Sequence, residues 1–291
     1  MPELPEVETI RSGLASLIVG KTIKKISHDT QKGFPNSEAD VKQFALNNQI
    51  KAVRRRAKVL LIDLGSGYSF MIHLKMTGQI VVRSSSKTFG GGHPTDSLIG
   101  DLPDKSTRVT IEFTDSSKLF FNDQRKFGWM KLLPTAEIMN TKFMQRVGPE
   151  PLPDDFTPAQ FKARFTNKQR SKIKAALLDQ SVVAGIGNIY ADESLFYAKI
   201  HPERLVGSLS SAEFKKLYTG VRATMNRAIA SGGSTDRNYV QADGSRGNYL
   251  DKFAQVFRRE GLPCPRCGHE IIKIRVAGRG THICPNCQKN A

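Results

Sequence analysis

Long apolar segments are missing from this chain of 291 residues, in which 39% of the residues are hydrophobic. No hydrophobic run approaches the ~18 residues with which a helix spans a bilayer. The N-terminus also lacks the basic stretch followed by an apolar one that marks a secretory signal. The hydrophobic content still allows packed cores, so we expect a cytoplasmic protein of about two domains, by the usual domain size of ~150 residues.

Acidic residues are few compared with basic ones, 27 against 44, which gives a net charge of +17. An excess of this size favours a polyanionic partner, with nucleic acid ahead of an anionic membrane surface. The basic residues are dispersed among apolar ones and do not form a tail. We therefore expect a folded basic surface that faces the partner.

Cysteine is also scarce, and its four occurrences lie in the last 28 residues, at Cys264, Cys267, Cys284 and Cys287. In an intracellular chain such clustering predicts a metal site and not disulfides. Two C-x₂-C pairs at this separation match a structural zinc site, because four thiolates leave no position open for water. The segments 271–276 and 281–283 between them can form a hairpin. We interpret the neighbouring His269 and His282 as packing or surface groups, not as ligands.

The first six residues, MPELPE, contain two prolines and two carboxylates. If Met1 is removed, Pro2 becomes a terminal secondary amine with a pKa of about 8, a nucleophile suited to Schiff-base chemistry. Glu3 can act beside it as an acid or base. The alternative is an ordinary helix start with Pro5 in the first turn and Glu6 behind it, and these residues alone favour that alternative.

The first half of the chain has the pattern of a β-sandwich or barrel. Apolar residues at helical spacing predict a helix over 5–17, and a second, short helix is expected near 38–46. Residues 84–105, rich in Gly, Ser and Pro, are predicted to form a long loop. Turn residues separate short β-like runs at 22–26, 59–64, 68–74, 79–82, 108–113, 118–121 and 129–133.

The second half begins after a proline-rich segment, which predicts a stiff linker and a domain boundary. The pattern that follows is helical, over residues 158–165, 172–179, 189–198 and 212–231. We divide the chain into an N-terminal β domain, a linker, a helical domain and a zinc finger, at residues 1–134, 135–153, 154–247 and 248–291.

Three separated segments resemble the bacterial formamidopyrimidine-DNA glycosylase family, base-excision enzymes that remove oxidised purines and nick the strand. They are PELPEVET at 2–9, LLDQ with VAGIGNIYADE at 177–193, and AGRGT at 277–281. The similarity covers nearly the whole chain, with the motifs in the same order. It implies an α+β multidomain fold: an N-terminal β-sandwich with flanking helices, a C-terminal helical helix-two-turns-helix domain, and a four-cysteine zinc-finger hairpin.

The resemblance also implies catalytic roles. Pro2 is the nucleophile at the sugar C1′, and Glu3 protonates the opening deoxyribose. Lys58 lies near the damaged nucleotide; its alternative is a solvated strand residue. Arg279 holds phosphates and donates a proton during elimination; its alternative is a charge at the hairpin tip. Besides one structural zinc, no redox or nucleotide cofactor is implied.

A base cannot be excised while it is stacked, so the enzyme must extrude it and fill the gap. The residues that match the family's gap-filling triad are Met76, Arg125 and Phe127. Met76 and Phe127 can wedge between bases, and Arg125 can bond the orphaned base. For the two apolar residues the alternative is core packing. His73, Lys168 and Arg170 are candidate phosphate contacts, with a structural histidine and a solvated basic face as alternatives.

The turn at residues 185–188 can also receive a phosphate, because glycines let backbone N–H groups approach it at the start of a helix. Asn188 can cap that helix or bind the phosphate; an ordinary turn is the alternative. Two regions depart from the family pattern. A histidine pair is replaced by KSTR at 105–108, after an enlarged loop that carries His93, a further candidate DNA contact. Arg258 stands where glycine is common.

The loop at 234–248 resembles the part of the family fold that closes over the extruded purine, through backbone near Arg237, Asn238 and Tyr239. We therefore predict a monomeric, nucleoid-associated enzyme that acts on damaged double-stranded DNA. It excises oxidised purines through a Schiff base at Pro2, followed by β,δ-elimination. One rival is an oxidised-pyrimidine glycosylase of the endonuclease VIII type, disfavoured by Leu4 and the finger motif. The other is a non-catalytic zinc-ribbon DNA-binding protein.

Overall fold

The computed structural model describes residues 1–85, 87–93, 95–233 and 249–290. The described residues form two compact units, one within 1–144 together with 231–233 and one of 145–230 together with 249–290. The first division falls inside the segment 135–153 that we predicted as a linker. The predicted purine-closing loop, with Arg237, Asn238 and Tyr239, lies outside the described residues.

The first unit contains two antiparallel sheets and a long N-terminal helix, α1 (Leu4–Ile18). The helix α2 (Glu38–Asp40) continues into a wider helical turn over Val41–Ala45. The strands are β1 (Ile23–His28), β2 (Ile50–Arg56), β3 (Val59–Leu64), β4 (Tyr68–His73), β5 (Gly78–Arg83), β6 (Thr88–Gly92), β7 (Thr107–Phe113), β8 (Lys118–Asp123) and β9 (Trp129–Pro134).

One sheet has the order β1-β7-β8-β5-β6 and the other the order β2-β3-β4-β9. Apolar side chains from both sheets form one core, and α1 contributes Val7, Ile10, Leu14 and Ile18 to it. All four of these helix residues are completely buried. The predicted β-sandwich with a flanking helix is therefore confirmed, since both sheets bury one face against the same core.

Two strands were missed by the sequence analysis. The segment 84–105 is not only a loop, because β6 within it pairs with β5 along its length. Three consecutive glycines hide the alternating pattern, yet Phe89 is buried against Gly13 of α1, where an added Cβ would lie 2.3 Å from the ring. In β2 the apolar positions Ile50 and Val53 are masked by four basic residues.

The second unit contains helices and a two-stranded hairpin. Its elements are α3 (Pro158–Ala163), α4 (Ile173–Leu178), α5 (Asn188–Ala198), α6 (Ser211–Ala230), α7 (Tyr249–Phe253), β10 (Ile272–Val276) and β11 (Arg279–Ile283). The four predicted helices and the hairpin are confirmed, and α7 was missed because it is only five residues long. Short 3₁₀ turns occur at Asp96–Leu98, Thr135–Asn140, Met144–Arg146, Thr166–Lys168 and Val206–Ser208.

Part of the predicted linker is held against α6. The guanidinium of Arg222 donates hydrogen bonds to the carbonyl oxygens of Pro151, Leu152 and Pro153, at 3.0, 2.8 and 2.8 Å. Because three acceptors share one rigid, planar donor group, this end of the segment is fixed to the helical unit. Over the described ranges, no helix is both long enough and apolar enough to cross a membrane.

Candidate active site and nucleic-acid interface

The N-terminal residues combine a helix start with the proposed nucleophile. Glu3 is the N-cap of α1 and forms a reciprocal capping box with Glu6, whose Oε2 accepts the Glu3 N–H at 2.8 Å. Pro2 is buried, and Glu3 is only 4% exposed. The ordinary helix start is therefore present, and it holds both candidate catalytic residues at the positive end of a 15-residue helix. The structural and catalytic interpretations are compatible.

Lys58 lies in the tight turn between β2 and β3, after Ala57, which has a positive φ of 54°. The side chain is 5% exposed, so the alternative of a solvated strand residue is wrong. Arg55 connects this turn to α1, because its Nε donates to Glu8 at 2.8 Å and its Nη1 donates to the Ala57 carbonyl at 3.1 Å. The sequence analysis missed Arg55 and Glu8 as supports, since nothing in their local pattern pairs them.

His73 ends β4 and is 8% exposed. Burial lowers its pKa to about 3, with further lowering by the charges of Lys75 and Lys58. Its Nδ1 accepts the backbone N–H of Lys75 at 2.9 Å, so the neutral ring carries its hydrogen on Nε2. The residue is thus structural through one nitrogen, while the other is a neutral donor of the type that can bind a phosphate oxygen.

Met76, Arg125 and Phe127 lie on two loops at one end of the five-stranded sheet. Gly78 at the start of β5 is the register partner of Asp123 at the end of β8, so the two loops leave adjacent strands at the same edge. Met76 is 38% exposed and Phe127 is 48% exposed, so core packing, the alternative for both, is wrong. The guanidinium carbon of Arg125 lies 4.9 Å from the centre of the Phe127 ring. The three side chains therefore form an exposed apolar and cationic projection.

His93 is held by its backbone at this same edge. Its N–H donates to the Gly78 carbonyl at 3.1 Å, and its carbonyl accepts from the Gln79 side chain. Its role as a DNA contact stays a prediction. In the replaced segment, Arg108 is 6% exposed and donates to the Asp123 carbonyl, to Asp29 and to the carbonyl of the segment's first residue. Arg108 therefore supports the fold of this edge.

In the second unit, Asn188 is the first residue of α5, and Gly187 is the N-cap. The proposed capping role of Asn188 is therefore wrong, because a residue inside the helix cannot cap its start. Its Nδ2 instead donates to the carbonyl of Gly280 in the hairpin at 3.0 Å. The turn itself is ordered by Gln180, whose Oε1 accepts the Gly185 N–H at 3.0 Å. Phosphate binding by Asn188 stays a prediction.

The two other basic candidates differ in their surroundings. Lys168 forms an ion pair with Asp179 at 2.8 Å. Burial of Asp179 would raise its pKa, but hydrogen bonds from Lys168 and Ser181 outweigh this and leave the pKa below its usual range. Arg170 is exposed. Both positions suit a solvated basic face, and their phosphate contacts stay predictions.

The four cysteines come together as their spacing predicts, with every Sγ within 4.8 Å of the others. Tetrahedral zinc–thiolate bonds of about 2.3 Å separate neighbouring sulfurs by about 3.8 Å, so the donor set fits a structural zinc ion. His282 is 3% exposed, and its backbone N–H donates to Asp192 at 2.9 Å. Within the described residues, the cysteine cluster includes neither His269 nor His282, in agreement with the expected packing and surface roles.

Arg279 is exposed at the start of β11, directly after the turn of Ala277 and Gly278, which both have positive φ. The next two residues are bound by the buried Lys174, whose Nζ donates to the Gly280 carbonyl at 3.2 Å and to the Thr281 hydroxyl at 2.7 Å. Arg279 is therefore carried on a strand that a buried lysine fixes to the helices. Its phosphate contact and its role as a proton donor stay predictions.

Comparison with known protein families matches three segments of the chain. The formamidopyrimidine-DNA glycosylase N-terminal domain matches residues 1–130, and the H2TH domain of the same enzymes matches 147–239. The zinc finger found in FPG and IleRS matches 261–290. The formamidopyrimidine-DNA glycosylase of Desulfitobacterium hafniense is 40% identical over 99% of this chain and 100% of its own length.

Two similar solved structures come from Lactococcus lactis. One is a complex of its Fpg with DNA that contains an abasic site, with a TM-score of 0.86 and 35% identity. The other is a complex of the wild-type protein with DNA that contains an oxidised pyrimidine, with a TM-score of 0.85 and 34% identity. Each match covers 99% of this chain and 100% of the other.

Proposed function

The chain belongs to the formamidopyrimidine-DNA glycosylase family, and from this premise we propose that it is a bifunctional DNA glycosylase and AP lyase of base excision repair. It excises oxidised purines, namely 8-oxoguanine and formamidopyrimidines, from double-stranded DNA and then cuts the strand. The observation that carries this proposal is the placement of Pro2 and Glu3 together at the buried start of α1. We propose the bacterial cytoplasm, at the nucleoid, as the location.

Removal of Met1, which is 46% exposed, precedes the reaction because it converts the Pro2 nitrogen from an amide to a free amine. The freed amine of Pro2 attacks C1′ of the damaged nucleotide, and the base leaves with the electron pair of the glycosidic bond and takes up a proton. Glu3 protonates O4′ as the sugar ring opens, while the amine loses its proton. The product is an iminium between the Pro2 nitrogen and C1′.

The iminium then withdraws electrons from the sugar. Loss of a proton from C2′ expels the 3′-phosphate by β-elimination, and a second elimination expels the 5′-phosphate. Water hydrolyses the remaining iminium and releases Pro2. In this scheme, Lys58 stabilises the negative charge near the nucleotide and Arg279 donates a proton to a leaving phosphate. The four cysteines would hold a zinc ion that orders the hairpin carrying Arg279.

Extrusion of the base precedes this chemistry. Met76 and Phe127 enter the stack, and the Arg125 guanidinium donates to the base left without a partner. Their exposure supports this role, because an apolar side chain that is 38% or 48% exposed is available to a partner. The neutral His73 and the amide of Asn188 each bind a DNA phosphate.

Borohydride trapping tests the nucleophile directly. Reduction of the iminium joins the protein covalently to an 8-oxoguanine duplex, and N-terminal mass analysis of the adduct finds Pro2 as the modified residue. Pro2→Gly should lose the adduct. Pro158→Gly, the same change in the first turn of α3, is the matched control and should keep it. A wild-type chain that retains Met1 and cuts lesion duplexes at full rate would contradict the mechanism.

The alternative function, an oxidised-pyrimidine glycosylase, has one observation in its favour. The similar Lactococcus lactis protein has been solved in complex with DNA that contains an oxidised pyrimidine. Parallel cleavage of 8-oxoguanine and thymine glycol duplexes separates the two. We expect faster cleavage of the 8-oxoguanine duplex; a clear preference for thymine glycol would reverse the assignment.

A further inference from the structure

Asp123 lies beneath the exposed projection of Met76, Arg125 and Phe127 and has no solvent exposure. Its carboxylate accepts hydrogen bonds from both loops. Oδ1 accepts the Thr77 hydroxyl, and it also accepts the Arg125 N–H at 3.2 Å. The other oxygen, Oδ2, accepts two further N–H groups, from Phe127 at 2.8 Å and from Gly128 at 2.6 Å.

The two loops also contact each other directly, because the Arg125 N–H donates to the Thr77 hydroxyl oxygen at 3.1 Å. The backbone of Asp123 is held as well. Its N–H donates to the Ser106 carbonyl at 2.7 Å, and its carbonyl accepts from Arg108 at 2.9 Å. One buried residue therefore connects the Met76 loop, the Arg125–Phe127 loop and the 105–108 segment that departs from the family pattern.

This arrangement constrains strained backbone. Lys126, between Arg125 and Phe127, has a φ of 56°, a conformation that non-glycine residues rarely adopt. The N–H groups on both sides of it are bound to Asp123. Such a conformation persists when the surroundings over-determine it, and here the carboxylate provides that constraint.

We propose that Asp123 is a positioning residue for Met76, Arg125 and Phe127. Its buried carboxylate fixes the two loops that carry these side chains, so that the three enter the duplex as one preorganised unit. The inference rests on the base-extruding role given to these three side chains under the proposed function. An insertion that must displace stacked bases depends on placement, since a misplacement of about 1 Å can reduce a rate by about 100-fold. Asp123 itself touches neither DNA nor the reacting atoms.

Two substrates distinguish a role of Asp123 in positioning the three side chains from a role in the folding of the protein. An 8-oxoguanine duplex requires extrusion and gap filling, whereas an abasic site in single-stranded DNA requires only Pro2 chemistry. Asp123→Asn replaces an acceptor oxygen by an NH₂ group that faces N–H donors. We expect roughly 100-fold slower excision from the duplex and unchanged lyase activity on the single strand. The fluorescence rise of 2-aminopurine placed beside the lesion, which reports unstacking, should slow in parallel.

Thr77→Val is the second variant, for the case that Asp123→Asn does not fold. It removes only the hydroxyl that joins the Met76 loop to the carboxylate, and we expect a five- to tenfold loss on the duplex alone. Asp115→Asn is the matched control, because Asp115 also accepts turn hydrogen bonds, from the N–H and hydroxyl of Ser117, in the turn between β7 and β8. It should leave both substrates unaffected.

Each result decides the matter. Equal losses on duplex and single strand would mean that Asp123 supports the fold as a whole, and the inference would be wrong. The inference would also be wrong if the wild type cuts the lesion duplex and Asp123→Asn and Thr77→Val cut it as fast as the wild type does. If the wild type itself leaves the lesion duplex intact, the proposed function fails and the inference fails with it.

Discussion

Lys174 and Asp192 form an ion pair in the interior of the second unit, with Nζ 2.6 Å from Oδ1 and no exposure of either side chain. The pair lies between α4, α5 and the hairpin. The same Nζ holds the Gly280 carbonyl and the Thr281 hydroxyl, and the other oxygen of Asp192 accepts the His282 N–H. The strand that begins with Arg279 is therefore attached to the helices by one buried charged pair.

Removing one member of this pair should be costly. Lys174→Met leaves a buried carboxylate without its cation, and breaking such a pair typically costs about 3–5 kcal/mol. We expect a large drop in Tm and a strong loss of DNA affinity. Lys172→Met is the matched control, because its partner Glu203 lies at 2.5 Å in an exposed pair worth at most about 1 kcal/mol. Similar melting of both variants would contradict the prediction.

The pH dependence of stability should include a contribution from His73. Its pKa in the folded protein is about 3, below the ordinary 6.5, so the unfolded chain takes up the proton first. Stability is therefore lost as pH falls below 6.5, by about 1.5 kcal/mol between pH 6.5 and 5. Melting of wild type against His73→Asn over this range measures the difference. The exposed His28→Asn is the control, and a wild-type curve parallel to that of His73→Asn would refute the prediction.

Zinc removal should unfold the finger. The hairpin has a small apolar core of Phe196, Val256, Ile271 and two of the cysteines, too little to fold without the metal. We expect one zinc per chain by elemental analysis, and loss of both the metal and DNA binding in Cys284→Ser. His269→Asn should keep one zinc and full binding. Loss of metal in the histidine variant would show that a histidine replaces one of the proposed ligands.

DNA binding should weaken steeply with salt, with a log–log slope of about −0.9 per phosphate neutralised. Arg279→Ala removes one exposed cation from the hairpin, so we expect the slope to become shallower by about 0.9. In Arg54→Ala the lost guanidinium was already paired with Asp63, so the slope should be unchanged. A flat salt response in the wild type would count against the DNA-binding assignment itself.

Local patterns were sufficient for most of the fold. The helix α1, seven strands and the four-cysteine hairpin follow from residue spacing alone, because the residues that specify each of them lie close together in the sequence. The strand β6 could not be found this way, since its glycines contribute no side chains and its burial depends on Gly13 of a distant helix. Of the two roles considered for Asn188, the helix cap was wrong because the sequence does not show which residue of a glycine turn begins the helix.

The sequence by itself determined which chemistry is available: a proline behind the initiating methionine, a glutamate beside it, four thiolates at zinc spacing and a large excess of positive charge. Tertiary structure alone decided how these groups are used. It buried Lys58, made His73 neutral, exposed Met76 and Phe127, and brought Asp123 into contact with Thr77, which lies 46 residues earlier in the chain. The physical reason is that burial and hydrogen-bond partnership depend on strand register and packing between distant segments, which residue types and local spacing do not specify.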